Sequence, residues 1–197
     1  MSSLKHNDEG FTGLEAAIVL IAFVVVAAVF SYVVLGAGFF TTQKAQQAVH
    51  SGVSQASSTL EIVGNVYGIG DSTNSGIEYV NFSLGLAAGG TPVDLSKTVL
   101  VYSNETQLVT LVAPTTWTGP TYPSAGGSWA ISDVQNNPNA NFNPVLEPNE
   151  QFTITCDIPH EIPANDVFTI EIRPSEGAAF SITRTVPAAI QGVNLMY

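Results

Sequence analysis

The first third of the chain has the pattern of one helix whose surface changes from fully apolar to half polar. No charged residue stands in 16–40, a run of about 25 residues that would form a helix roughly 37 Å long. In 41–63, apolar residues recur at steps of three and four, with Gln, Ser and Lys44 between them. That spacing is typical of an amphipathic helix. We therefore predict one long helix, hydrophobic and then amphipathic, over 11–62.

The apolar half of this helix is long enough to cross a bilayer, whose hydrocarbon core is about 30 Å thick. An ordinary secretory signal has a shorter apolar region and a basic leader, whereas the first ten residues here set Lys5 against Asp8 and Glu9. The run is rich in Ala, Val and Gly, and small residues let helix backbones approach closely in an apolar medium. The composition favours a segment that packs against copies of itself, with a single-pass membrane anchor as the alternative.

After the helix, the pattern changes to short alternating strands. Residues 63–76 are rich in Gly, Asn and Ser and have the composition of a linker. Behind them lie seven β-like stretches separated by turn signals: IEYVNFSLGL, KTVLVYS, QLVTLVA, SWAISDV, EQFTITCDI, DVFTIEIR and AAFSITRTV. The last two predict a hairpin around 174–177. The predicted class is α+β, with the helix followed by an immunoglobulin-like antiparallel β-sandwich over 77–197.

Charge and cysteine content narrow the function. The 197 residues include five Lys and Arg against sixteen Asp and Glu, a net charge of −11. Such a chain is a poor ligand for nucleic acid or for anionic lipid headgroups, which both need clustered cations. Cys156 is the one cysteine, so no internal disulfide forms. Its alternation with Phe152 and Ile154 places it on the core face as an inert thiol.

No arrangement of catalytic residues emerges from the sequence. His6, His50 and His160 are too few for the usual zinc site, and no Ser-His-Asp or Cys-His order is evident. Asp71 opens a loop of alternating oxygen donors that resembles the start of a calcium loop. The twelfth position holds Phe82 in place of the expected acid, which favours a polar turn over a metal site. We predict no enzyme activity, no assigned metal site and no cofactor.

A short motif precedes the apolar run. Gly10 is followed by Phe11, and Glu15 stands fifth after this junction. With the uninterrupted apolar helix behind it, the motif resembles the class III signal peptide of type IV pilins and archaeal flagellins (archaellins). Three stretches are similar to archaellins in particular: FTGLEAAIVLIAFVVVAAVF, GFFTTQKAQQA and, near the C-terminus, EIRPSEGAAFSITRTVP.

The resemblance implies a function. A prepilin-peptidase-like membrane protease would cut between Gly10 and Phe11 and remove the leader, 1–10. The helix of the mature chain would wait in the cytoplasmic membrane and then enter the core of the archaellum, an extracellular helical filament that rotates as a swimming propeller. Its partners would be copies of itself, paralogous archaellins and the motor and assembly complex. A type IV adhesion pilin, or a membrane-anchored binding domain that never polymerises, would share the N-terminal features.

Glu15 has two interpretations. A carboxylate costs free energy in hydrocarbon, and the resemblance implies an assembly contact for it with the α-amine of Phe11, which exists only after the cut. Alternatively, Glu15 only helps the helix to start, because it lies near the positive end of the helix dipole.

Two N-glycosylation sequons follow, Asn81-Phe82-Ser83 and Asn104-Glu105-Thr106. Asn81 alternates with Phe82 in its predicted strand and should point outward, whereas Asn104 lies in the turn between two predicted strands. Both are candidate sites in a chain predicted to be exported, and the resemblance favours them because archaellins are commonly glycoproteins.

Aromatic residues cluster in the loop PTTWTGPTYPSAGG and just after it. Trp117, Tyr122 and Trp129 are interspersed there with Pro and Gly. Such side chains stack on sugar, cap the end of a sandwich or contact a neighbouring subunit, and the sequence leaves these alternatives open.

Overall fold

The computed structural model describes residues 8–73, 75–137 and 141–197, without the side chains of 8–12, 54, 56 and 57. Most of the predicted leader therefore lies outside the described residues. The chain divides into two compact units, Met1–Ser51 and Gly52–Tyr197.

Helix α1, Asp8–Ser57, is 50 residues long and confirms the predicted N-terminal helix. The first proline of the chain is Pro92, so nothing in the helix removes a backbone donor. The helix continues through Gly36 and Gly38. The Thr42 hydroxyl donates a hydrogen bond to the carbonyl oxygen of Gly38 at 2.9 Å, so this hydroxyl stays satisfied on an apolar helix.

The predicted helix end at 62 is wrong. The helix ends at Ser57, and strand β1 runs from Leu60 to Gly70. Leu60 has the spacing of the helical stripe, but its side chain lies in the β core and is only 4% exposed. Ser and Thr favour helix ends over helix interiors, and 57–59 is Ser-Ser-Thr. Burial in the sheet therefore overrides the helical spacing.

The predicted linker, 63–76, is also wrong over most of its length, because β1 continues to Gly70. The Gly and Asn residues that suggested a linker form an irregularity in the pairing of β1, between Val63 and Tyr67. Gly64 has φ of +84°, a conformation that favours glycine. One strand with a bulge thus has the composition of a loop.

The described part of the second unit contains the following strands and a 3-10 helix at Leu95–Lys97. The strands are β1 Leu60–Gly70, β2 Ile77–Leu86, β3 Val93–Asp94, β4 Val99–Asn104, β5 Leu108–Leu111, β6 Ser128–Gln135, β7 Val145–Leu146, β8 Gln151–Ile162, β9 Val167–Arg173, β10 Phe180–Thr185 and β11 Val193–Leu195. The seven predicted strands are β2, β4, β5, β6, β8, β9 and β10, and β9 and β10 pair as the predicted hairpin.

These strands form two main antiparallel sheets. One has the order β11-β1-β2-β8-β6 and the other the order β10-β9-β4-β5, while β3 pairs with β7. Their inward side chains belong to one hydrophobic cluster, which includes Phe82, Trp129 and Ile154 from the first sheet and Tyr102, Phe168 and Ile170 from the second. The predicted class, a long helix followed by antiparallel β-sheets, is confirmed.

Backbone hydrogen bonds join the two sheets at both sides. Thr185, at the end of β10, pairs with Tyr197, just beyond β11, through bonds of 2.8 and 3.3 Å. At the other side, the Val112 nitrogen donates to the Gly127 carbonyl at 2.8 Å, and the Trp129 nitrogen donates to the Val112 carbonyl at 3.0 Å. Edge strands that pair in this way are protected from uncontrolled pairing with other chains.

Candidate functional site

The apolar surface of α1 is uncovered in the single chain. Gly13–Val53, 41 residues, is long and apolar enough to cross a membrane, and none of it is buried. The exposed fraction of its large apolar side chains ranges from 52% at Val34 to 81% at Tyr32. Soluble monomers rarely leave such a surface in water. This segment therefore needs lipid or other protein chains around it.

Lys44 marks the polar end of the apolar run. Its ammonium lies 5.9 Å from the centre of the Phe40 ring and donates a hydrogen bond to Oε1 of Gln47 at 3.3 Å. The first distance is within the range of a cation–π contact. The side chain thus lies over the last apolar ring and remains exposed to solvent.

The backbone of α1 is helical across the Gly10–Phe11 junction. Glu15 is four residues after Phe11, and residues at this spacing share one face of a helix. The Glu15 side chain is exposed. The side chain of Phe11 lies outside the described residues. The cut after Gly10 and the contact between Phe11 and Glu15 therefore stay predictions.

Asn81 lies on the outer face of β2, the central strand of the five-stranded sheet. Its Cα partners are Tyr67 on β1 and Thr155 on β8. The next residue, Phe82, points into the core and is 1% exposed. The Asn81 side chain is half-buried, and its Oδ1 is buried without a hydrogen-bond partner among the residues the structure describes. This sequon is therefore recessed in the sheet.

Asn104 ends β4 and closes the turn that leads to β5. Its Oδ1 accepts hydrogen bonds from the backbone nitrogens of Thr106 and Gln107, at 3.0 and 2.9 Å, and from the Thr106 hydroxyl at 3.0 Å. Glu105 and Thr106 are exposed. The asparagine and hydroxyl of this sequon thus stand together at an accessible turn.

The loop at Asp71 is held by its own hydrogen bonds. One carboxylate oxygen, Oδ1, accepts from the nitrogens of Ser75 and Gly76 at 2.6 and 3.2 Å, and the other accepts from the nitrogen and hydroxyl of Thr73. These bonds, the one from the Thr73 hydroxyl first among them, hold the pKa of Asp71 well below its usual range. Across the described residues, no three His, Cys, Asp or Glu side chains are grouped to hold a metal ion. The geometry is that of a polar turn.

A family model for archaeal-type flagellin matches residues 10–184. The chain belongs to the archaeal-type flagellin family. Probable flagellin 1 of Archaeoglobus fulgidus is 43% identical over an alignment that covers 96% of each protein. The chain is also similar to the solved structure of the archaeal flagellum of Methanospirillum hungatei strain JF1, with 36% identity, a TM-score of 0.73 and coverage of 94% of this chain and 99% of that one.

A third similarity supports the fold alone. The crystal structure of an archaeal flagellin from Methanocaldococcus jannaschii has 21% identity and a TM-score of 0.58, with coverage of 70% of this chain and 95% of that one. As a flagellin, the chain is a structural subunit of the archaeal flagellum, an extracellular filament built from copies of the subunit.

The flagellin's cysteine lies where its sequence pattern placed it. Cys156 is 0% exposed on the core face of β8, and burial raises the pKa of its thiol far above the usual range. A protonated, buried thiol is a poor nucleophile. Cys156 is therefore part of the flagellin's core.

Sequence reasoning missed one surface of the flagellin, which we call the outer groove. It is a concave part of the outer face of the five-stranded sheet, with a volume of about 620 Å³, and Val63, Tyr67, Asn81, Ser83, Thr153 and Val193 line it. The groove was missed because two of its strands were not predicted. β1 has the composition of a linker, and β11 is only three residues long. The available sequence signal was the alternation of apolar Val193 and Leu195 around Asn194 near the C-terminus.

Proposed function

We propose that this flagellin is made as a membrane-inserted precursor and is cut between Gly10 and Phe11 by a prepilin-peptidase-like protease. The cut chain then polymerises through α1 into the filament that rotates as a swimming propeller. The exposed apolar surface of α1 carries the proposal, because every described side chain of Gly13–Val53 is exposed. Lipid covers this surface before assembly, and the helices of other subunits cover it afterwards.

The composition of α1 suits both environments. Lipid tails are as apolar as leucine, so helices in a membrane gain little from the hydrophobic effect when they associate and depend on close packing instead. The run 16–40 supplies Ala, Gly and Val for such packing. Transfer of the helix from lipid to a bundle of similar helices keeps its surroundings apolar, which keeps the free-energy cost of withdrawal from the membrane low.

Glu15 would connect cleavage to assembly. A new α-amine at Phe11 lies at the positive end of the helix dipole, where a positive charge is unfavourable and a carboxylate is favourable. In a filament core, where water is scarce, a charge of either sign needs a partner. We infer that the Phe11 amine and the Glu15 carboxylate pair there, within one subunit or between two.

The flagellin itself would perform no catalysis. Its thiol is buried, and the described residues contain no grouped metal ligands. Torque would come from the motor complex in the membrane, which is also the predicted assembly partner. The sequon at Asn104, at an exposed turn, is the site where we propose a glycan on the outer surface of the filament.

Mass spectrometry of filaments sheared from cells tests the proposed processing. The expected result is a subunit whose first residue is Phe11 in the filament fraction, with the uncut chain confined to membranes. A filament made of subunits that still carry residues 1–10 would refute the cut and, with it, the amine partner of Glu15. Peptide mapping of the same sample reports whether Asn104 carries a glycan.

A further inference from the structure

We propose that the loop 113–127 of one subunit docks in the outer groove of a neighbouring subunit in the filament. The proposal rests on the filament role, because only assembly brings a second copy of the chain to this surface. It adds a contact between β units to the helix contacts proposed above. The occupant to which we commit is another copy of this chain.

The first argument is electrostatic. Residues 52–197 contain thirteen Asp and Glu against three Lys and Arg, so the β units of neighbouring subunits repel one another. Like charges placed opposite each other in a contact cost several kcal/mol. Direct contact between two such units is therefore most favourable where both surfaces lack charge.

The outer groove is such a surface. Its lining residues named above are apolar or are neutral Asn, Ser and Thr. Two of these lining side chains face solvent, Tyr67 at 42% and Val193 at 66% exposure, and beside the groove Leu195 is 43% exposed. Leu195 is the Cα partner of Tyr67 across β11 and β1. Concave apolar surface with few charges is typical of the centre of a protein–protein interface.

The loop 113–127 is the matching surface. It lies within 106–132, a stretch of 27 residues without a charge. Tyr122 is 69% exposed, and Pro120 and Thr118 are also exposed. Tyrosine is a frequent anchor of interfaces because its large ring loses little conformational entropy when it is buried.

The structure holds the base of this loop in place. The Thr121 nitrogen donates a hydrogen bond to the Ile131 carbonyl of β6 at 2.8 Å. The Trp117 ring packs on the buried Trp129 ring, with centres 5.7 Å apart. Tyr122 therefore stands on an ordered support, so docking orders few additional groups and costs less entropy.

The positions of the two surfaces fit an open polymer. The groove extends across β11, β1, β2 and β8 and reaches Gln135 at the end of β6, whereas the loop precedes Ser128 at the start of β6, so the two surfaces consist of different residues. A contact between two different surfaces is heterologous: the occupied subunit still offers its own loop to the next one. A contact of the groove with itself would instead close a dimer.

The proposal decides between the two sequons. Asn81 lines the groove, so a glycan on Asn81 and a docked loop exclude each other. We expect Asn81 to be unmodified in assembled filaments. Asn104 lies on the other sheet, at the turn between β4 and β5, and its glycan is compatible with docking.

Cysteine cross-linking in filaments tests the contact. Tyr122→Cys combined with Val193→Cys should give a ladder of covalent multimers under mild oxidation, read on a denaturing gel without reductant. Cys156 is fully buried and will not compete. The matched control pairs Tyr122→Cys with Ser181→Cys, an exposed position on the outer face of the four-stranded sheet, and should stay monomeric. Filaments that show no ladder, or equal ladders for both pairs, would overturn the proposal.

A pair of charge substitutions provides a second test if the cysteine variants do not assemble. Tyr122→Asp should lower filament yield about tenfold or more, because docking would bury a charge without a partner. Adding Val193→Lys to Tyr122→Asp should restore the yield, and adding Ser181→Lys should not. Equal rescue by both lysines, or none by either, contradicts docking.

The N-terminus of the wild-type filament subunit is determined separately by mass spectrometry, so failure of the processing proposal remains distinguishable from failure of the docking proposal. Filaments whose Asn81 is mostly glycosylated would assign the groove to the glycan instead.

Discussion

Thr185 and Tyr197 exchange both of their backbone hydrogen bonds, at 2.8 and 3.3 Å. The pair links the end of β10 in one sheet to the chain just past β11 in the other. Met196 stands between Leu195, the last residue of β11, and Tyr197, and its side chain is only 4% exposed. The last two residues thus close one side of the β unit through their backbone and one buried side chain.

Removal of Met196 and Tyr197 should therefore destabilise the β unit by about 2–5 kcal/mol, since a buried methionine and a backbone pair are both lost. The measurement is urea unfolding of the detergent-solubilised chain, followed by the fluorescence of the buried Trp129. Tyr197→Ala is the control: its side chain is 72% exposed, so the expected change is within about 0.5 kcal/mol. Equal losses for the two variants would mean that the backbone pair contributes little.

The turn between β9 and β10 depends on Gly177. Its φ is +103°, and a Cβ at this position would overlap the carbonyl oxygen of Ser58. Ser58 is 0% exposed, and its backbone has little room to move. Gly177→Ala should cost about 2 kcal/mol or more in unfolding free energy.

Gly192→Ala is the matched control for this substitution, because no atom of the described residues, apart from its two chain neighbours, lies within 4 Å of its Cβ position. We expect its unfolding midpoint in urea to stay near that of the wild type. If Gly177→Ala has an equally small effect, then the turn tolerates a side chain and Ser58 moves away.

Sequence patterns predicted the parts of the flagellin that depend on local periodicity. The helix and the strands with regular alternation, such as β2 and β9, belong to this group. β1 was not predicted because its bulge near Gly64 interrupts the alternation of apolar and polar residues. β11 was not predicted because a strand of three residues forms only through its pairing with β1.

The candidate sites divide in the same way. The motif of Gly10, Phe11 and Glu15 is local, so sequence resemblance is enough to find it. The outer groove joins Ile69 to Val193, which meet only through strand pairing. No period in the sequence connects residues so far apart, because that contact is set by the packing of the whole sheet.

Glu150 makes the stability of the β unit depend on pH. The residue is 4% exposed, and its Oε2 accepts a hydrogen bond from the Glu147 nitrogen at 3.0 Å. Burial raises the pKa of the Glu150 carboxyl above its ordinary value of 4.5. The folded state therefore holds this proton more tightly than the unfolded state. Ionisation of Glu150 costs stability as the pH rises past 4.5, and the cost is complete above the folded pKa.

Glu150→Gln keeps an acceptor for the Glu147 nitrogen and removes the charge. We expect the variant to be more stable than the wild type at pH about 8, and the gain to vanish below pH about 4. Urea unfolding at both pH values measures the difference. Glu105→Gln, at an exposed turn, should change stability by less than about 0.5 kcal/mol. A gain of equal size at both pH values would exclude ionisation of Glu150 as its cause.

Glu15 decides whether the proposed amine contact drives assembly. Glu15→Ala leaves the apolar helix intact, so the chain should still enter the membrane and be cut. Inside the filament, the Phe11 amine would then lack its partner, and truncation of one member of a buried charge pair costs about 2–5 kcal/mol. Filament yield should therefore fall more than tenfold, measured by immunoblot of the sheared and membrane fractions.

Glu15→Gln separates the two interpretations of Glu15, because it keeps the side-chain length and loses the charge. If the charge pairs with the amine, Gln should fail as Ala does, and normal yield from both variants would leave Glu15 with a role only in starting the helix.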